Sequence, residues 1–307
     1  MNELTWPVID QPAPVAPAGD TPPLEALAEG QIGAIICRNA FSAQQCQAVV
    51  SQLVSEELLY DPDQPIPEKF RRIAVPENYY YREGQDANAF QEQMAAQSQE
   101  RMRIDVGTSL GTRASDPAAF FAHSQQTHAL FASLYGEDGG PVATIYDQLS
   151  ALAAPKRVQT AHEPDGRLYG PAIFRAHYGG FTYKPHYDSV RNREKRTDYA
   201  VHEFEHQFAG VLVLQNTEKD GQTAQSRLHR CFWKPEVDPH LQNDTFHEYA
   251  REEQIASLDV ILNPGDLYFF NTGCIHEVPG VAGDSARIVL ATFIGYSSDR
   301  PDIFVWS

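Results

Sequence analysis

Residues 258–296 read LDVILNPGDLYFFNTGCIHEVPGVAGDSARIVLATFIGY. Three short runs rich in β-branched and aromatic residues, 258–262, 267–270 and 287–296, are set apart by Asn, Pro, Gly and Asp. That composition predicts strands, with Asn263-Pro264-Gly265-Asp266 as the turn between the first two. Working towards the N-terminus, 230–233, 208–214 and 172–178 have the same character.

Before residue 169 the pattern changes. Residues 32–37 form one short β-branched run. Ser42 followed by Gln45 then has the form of a capping box, and Cys46, Val49, Val50, Leu53 and Leu58 follow at roughly helical spacing. Asp116-Pro117 places an N-cap and a first-turn proline ahead of Phe120, Phe121, Leu130, Phe131 and Leu134. A further helix is expected from about 141 to 152. Pro7, Pro12, Pro14, Pro17, Pro22 and Pro23 predict a mobile or extended lead-in over residues 1–29, because proline disrupts helices and ladders. Residues 59–105, with Tyr79-Tyr80-Tyr81 and a Gln/Glu/Ala-rich stretch, carry no clear period.

Helices first and strands afterwards give an α+β chain. Residues 30–307 are expected to be one domain, with 30–168 as helical support and active-site cover. The β-sandwich or jelly-roll core falls in 169–307. A length of 307 residues with 42% hydrophobic and 21% charged residues is enough for one sizeable core.

Composition also narrows the function. No apolar run reaches the ~20 residues of a membrane span, and no secretory leader is evident, so a cytoplasmic location is expected. A net charge of −17 argues against a nucleic-acid partner, which requires a basic footprint. Cys37, Cys46, Cys231 and Cys274 are scattered without a C-x-x-C pair, which argues against a disulfide framework or a structural zinc site. Cys37, Cys46 and Cys274 lie among apolar residues and are expected to be buried.

Chemistry concentrates in three places. His186-Tyr187-Asp188 puts an imidazole and a carboxylate two residues apart, on one face of an extended chain. His276 closes the strand-and-turn unit that begins at Asn263. Two histidines and one carboxylate from separate strands make a facial triad that leaves three positions open on Fe(II). Arg287 opens a β-run, where a buried guanidinium needs a carboxylate partner. Taken singly, each of these residues reads as structural; the joint pattern is what points to a site.

The stretch from Tyr178-Gly179-Gly180-Phe181 to His186-Tyr187-Asp188, then Pro264-Gly265-Asp266, Phe270-Asn271, His276-Glu277-Val278 and Arg287, resembles the Fe(II)/2-oxoglutarate-dependent oxygenase superfamily. The resemblance covers roughly residues 170–296. It implies a double-stranded β-helix (cupin-like jelly roll) with N-terminal helices packed on it. It further implies iron on His186, Asp188 and His276, 2-oxoglutarate on Arg287, and O2 as oxidant, with ascorbate helpful in assays. Residues 32–42, Leu168-Tyr169-Gly170-Pro171-Ala172 and the ending Ile303-Phe304-Val305-Trp306-Ser307 are similar to a small-molecule branch that includes freestanding aliphatic halogenases. Those halogenases carry a small residue in place of the iron carboxylate. Asp188 is present here, so hydroxylation of an unactivated C–H, with succinate and CO2 released, is the expected reaction.

Two positions depart from the superfamily pattern. Asp220-Gly221-Gln222-Thr223 stands where relatives show Gly-Gly-Glu-Leu, and Val289 stands where many place an oxoacid-binding Ser. Tyr178 and Thr292 are the hydroxyls expected to compensate.

Other residues have ordinary readings. Arg191, Arg193, Lys195 and Arg196 are expected to be a solvated loop in preference to an anion site. His177 and His202 read as core or surface residues, and Tyr79–Tyr81, Arg101 and Arg103 as possible pocket cover. The alternatives to a small-molecule hydroxylase are a prolyl-type peptidyl hydroxylase and a non-catalytic cupin-like binding protein. Substrate identity and oligomeric state are not readable from the chain.

Overall fold

The computed structural model describes residues 6–13, 21–71 and 103–307. Tyr79, Tyr80, Tyr81 and Arg101 lie outside the described residues. Strands in chain order are β1 (Val8–Pro12), β2 (Ala34–Arg38), β3 (Arg103–Val106), β4 (Arg157–Thr160), β5 (Ile173–His177), β6 (Tyr183–His186), β7 (His206–Gln215), β8 (Glu218–Lys219), β9 (Gln222–Thr223), β10 (Ser226–Phe232), β11 (Ser257–Val260), β12 (Leu267–Asn271), β13 (Cys274–Val278), β14 (Arg287–Tyr296) and β15 (Asp302–Trp306). The longer helices are α1 (Pro23–Ala28), α2 (Ala43–Ser55), α3 (Pro117–Tyr135), α4 (Gly140–Ala153) and α5 (Phe246–Glu252).

The major sheet runs β1-β2-β12-β7-β14, and the free edge of β14 then pairs with both β5 and β15. Strand β5 continues to β3, and β15 to β4. The minor sheet is β11-β10-β13-β6. This is the expected α+β jelly roll.

Period-two alternation decides what each face meets. On β14, Ile288, Leu290 and Ile294 join Phe208, Leu212 and Phe269 in the core beneath the helices. Val289 and Ala291 turn the other way and, with Val211, Tyr268 and Phe270, face the minor sheet. Leu290, Phe208 and Phe269 are fully buried, each contributing about 1.5–3 kcal/mol.

The helix starts follow their predicted caps. Ser42 Oγ accepts from Gln45 N at 3.2 Å, and Gln45 Oε1 accepts from Ser42 N at 3.0 Å. Asp116 Oδ1 accepts from Ala119 N at 3.0 Å.

The proline-rich lead-in is extended at β1, but its prolines do not block regular pairing or helix there, since β1 pairs in parallel with β2 and α1 starts at Pro23. Pro12 sits at the end of a strand and Pro23 in a first turn, the positions that tolerate a missing N–H. Residues 274–278 form strand β13, so His276 comes from a different strand from His186, as expected. Across that strand His276 pairs in register with His186.

Candidate active site

The β6–β13 register is what builds the site, because it sets the two histidines opposite each other. Their ring centroids are 4.2 Å apart. Asp188 lies just past the end of β6 and is clamped to the β12–β13 turn. Its N–H donates to Thr272 O at 2.9 Å, and Thr272 Oγ1 donates to its carbonyl at 2.8 Å. Asp188 Oδ2 consequently stands 3.8 Å from His186 Nε2 and 3.6 Å from His276 Nε2. The ligating atoms of all three lie within 4.8 Å of one another.

Each histidine is set to offer Nε2. His186 Nδ1 lies 2.7 Å from Lys184 O, and His276 Nδ1 lies 2.9 Å from Cys274 O. A carbonyl only accepts, so Nδ1 carries the proton and Nε2 keeps its lone pair. Burial, then the His276 and Arg193 charges, lowers the His186 pKa to about 3 despite Asp188. Burial opposes charge on Asp188, but His276 and Arg193 outweigh it and hold the carboxyl well below its usual range. Two imidazoles presenting Nε2 and one carboxylate fit a divalent ion.

Arg193, expected to be solvated, is part of this arrangement. Its Nη1 donates to Asp188 Oδ1 at 2.7 Å and to the Tyr187 carbonyl. Arg196 is also buried, paired with Glu194. The loop therefore folds back onto the site at Arg193, while Arg191 and Lys195 stay exposed as expected. Sequence spacing does place Arg193 five residues past Asp188, but nothing in it distinguishes an inward loop from an outward one.

The triad opens into a cleft between the sheets. Ile173, Val211, Phe270 and Val289 give it apolar walls, and Arg287 reaches in from β14. Arg287 is 6% exposed and its Nε has no hydrogen-bond partner. Burial lowers its pKa, yet a guanidinium stays charged, so the cleft contains a buried cation whose Nε is unpartnered. Arg175 of β5 also lines the cleft, with its Nε buried and unpartnered. The spacing of the histidines and Arg287 gave no sign of Arg175. Its signal is the alternation Ile173, Arg175, His177 along one strand face.

His177 likewise lines the cleft and is not an isolated core residue. Its ring is 2.9 Å from Tyr183 OH, and burial, followed by Arg287, Arg103 and Arg175, lowers its pKa well below the ordinary value. Of the two hydroxyls expected near the oxoacid, Thr292 lines the cleft and its Oγ1 has no partner. Tyr178 points the other way, donating to Tyr60 O at 3.0 Å and stacking on Tyr60. A hydroxyl pair that the sequence did not reveal, Ser226 Oγ and Tyr268 OH at 2.6 Å, lies in the wall. Asp220 and Gly221 form the tip of the β8–β9 hairpin, and Gln222 and Thr223 are its second strand.

The jelly roll, its helices and this cleft define an Fe(II)/2-oxoglutarate-dependent enzyme, with O2 as the third reactant. The sequence profile of the carrier-protein-independent halogenase WelO5 family matches residues 18–307, and the chain belongs to that family. Among solved structures, it is similar to an N-substituted L-amino acid dioxygenase from Burkholderia ambifaria AMMD in complex with alpha-KG. The identity is 14% over 92% of this chain and 90% of that one, at a TM-score of 0.51. HygX from Streptomyces hygroscopicus, with nickel and 2-oxoglutarate bound, matches at 12% identity over 87% and 84% of the chains (TM-score 0.40). EctD from S. alaskensis with bound Fe matches at 13% over 97% and 84% (TM-score 0.42). A sequence search of curated proteins finds no match. Among the described residues, no helix is long and apolar enough to cross a membrane.

Proposed function

We propose that the protein hydroxylates an unactivated C–H bond of a free small molecule, with His186, Asp188 and His276 holding Fe(II) and Arg287 holding the far carboxylate of 2-oxoglutarate. One observation carries the choice of hydroxylation: Asp188 Oδ2 faces both imidazoles, 3.8 and 3.6 Å from their Nε2 atoms. The family's halogenases, by resemblance, leave that position small for a halide, and a carboxylate fills it here.

When bound, iron and 2-oxoglutarate supply the activation of O2, releasing succinate and CO2. The chain's own residues position, shield and neutralise. The Lys184 and Cys274 carbonyls fix the imidazole tautomers, and Arg193 steers the carboxylate. Arg287 supplies the charge that pairs with a carboxylate in a site walled by apolar side chains, where such pairing is strong. Ile173, Val211 and Phe270 keep water from the reacting face.

The test is succinate formation over a panel of metabolites with Fe(II), 2-oxoglutarate, O2 and ascorbate, with and without chloride. The expected product gains one oxygen and does not depend on chloride. A chlorinated product would overturn the hydroxylase reading. Turnover confined to peptides would replace it with the peptidyl one.

A further inference from the structure

Glu277 follows His276 in β13, so strand alternation turns its carboxylate to the opposite face of the minor sheet. There it meets two imidazoles. His229 of β10 brings Nε2 to 3.0 Å from Oε1, and His247 of α5 brings Nε2 to 3.3 Å from Oε2. The three ligating atoms lie within 4.8 Å of one another. His229 and Glu277 are 4% and 5% exposed, whereas the His247 side chain is 53% exposed. A second cavity, bordered by Lys184, His240 and Asp244, opens beside His247 and Glu277 and provides an entry path.

We propose that His229, His247 and Glu277 form a second divalent-metal site, separate from the iron triad and suited to a borderline ion of the zinc type. Ligands on a tetrahedral zinc with bonds of about 2.0–2.2 Å stand about 3.3–3.5 Å apart. Here His229 Nε2 is 3.0 Å from Oε1 and His247 Nε2 is 3.3 Å from the other oxygen, Oε2, while one oxygen and the two Nε2 atoms lie within 4.8 Å, so closing on one ion takes a shift of the exposed His247 side chain. Two imidazoles and one carboxylate suit zinc, nickel or cobalt, whereas calcium and magnesium take oxygen ligands. Arg227 Nη1, 3.8 Å from Oε1, is the competing cation, but its Nε and Nη2 are bonded to Asp259 at 2.7 and 3.2 Å. On loading, the His229 proton moves from Nε2 to Nδ1, which has no hydrogen-bond partner. The cavity beside His247 and Glu277 would let water complete the coordination of a bound ion.

The test is titration of the metal-free full chain with Zn(II), and with Co(II) for its visible bands. The wild type should bind two equivalents. His247→Ala changes an exposed side chain, so the fold survives, and it should lose one equivalent, weakening that step at least 10-fold. His186→Ala should lose the other and keep the intense bands of four-coordinate Co(II). If wild type and His247→Ala titrate identically, the second site is overturned. If only His186→Ala fails to change the titration, the iron reading falls and this one stands.

Discussion

Arg193 Nη1 donates to Asp188 Oδ1 at 2.7 Å, which leaves Oδ2 as the oxygen presented to His186 and His276. One carboxylate oxygen is thus tied to a guanidinium and the other is aimed at the shared point. Arg193→Met should let the carboxylate rotate and weaken Fe(II) binding about 10- to 100-fold, with Arg193→Lys in between. Anaerobic Fe(II) titration in 2-oxoglutarate, followed by the visible charge-transfer band, measures this. An unchanged midpoint would remove Arg193 from the metal site.

Asp188→Ala deletes one proposed ligand outright. Substrate-dependent succinate formation should drop to background. Undiminished turnover would show that this carboxylate is not on the iron.

Arg287 is buried and lacks a partner at Nε. Arg287→Ala should raise the 2-oxoglutarate concentration needed for half-saturation at least 10-fold, since a charge-assisted pair in a dry cleft is lost. Steady-state saturation curves decide it, and a curve matching wild type would place the oxoacid elsewhere.

Gly265 sits in the turn before β12 with φ +96°, and a Cβ there would lie 2.1 Å from Phe41 O. Its carbonyl also accepts from Phe41 N at 3.0 Å, tying the turn to the segment before α2. Gly265→Ala should cost more than about 2 kcal/mol in urea unfolding, through both strain and clash. A midpoint equal to wild type would contradict that account.

Burial pushes Cys37 up to about 12 and Cys46 up to about 11, and raises Cys274 and Cys231 as well. Thiolate is the reactive form, so the native protein should resist iodoacetamide at neutral pH while the denatured chain reacts at every cysteine. Peptide mass mapping reads the outcome. Fast native alkylation at Cys37 or Cys274 would show that the sheets do not close as described.

The strands with continuous β-branched and aromatic character were legible in the chain; β14 was read to the residue, at Arg287–Tyr296. Strands β6 and β13 were harder, because histidine, proline and glycine dilute their apolar pattern. The caps of α2 and α3 were also legible, since capping is a matter of a few adjacent residues. The pairing of the lead-in with β2 was not legible, because proline content says nothing about which neighbouring strand can still pair with it.

Sequence alone determined the candidate ligands, because His186, Asp188, His276 and Arg287 occur in an order and spacing that few other folds require. It also determined that an aspartate, Asp188, stands two residues after His186. Tertiary structure decided the rest. Only the β6–β13 register faces one histidine with the other, and only the returning loop brings Arg193 to Asp188. Only strand alternation puts Arg175 in the cleft and Tyr178 outside it. Those outcomes depend on contacts between segments far apart along the chain, which local residue patterns do not encode.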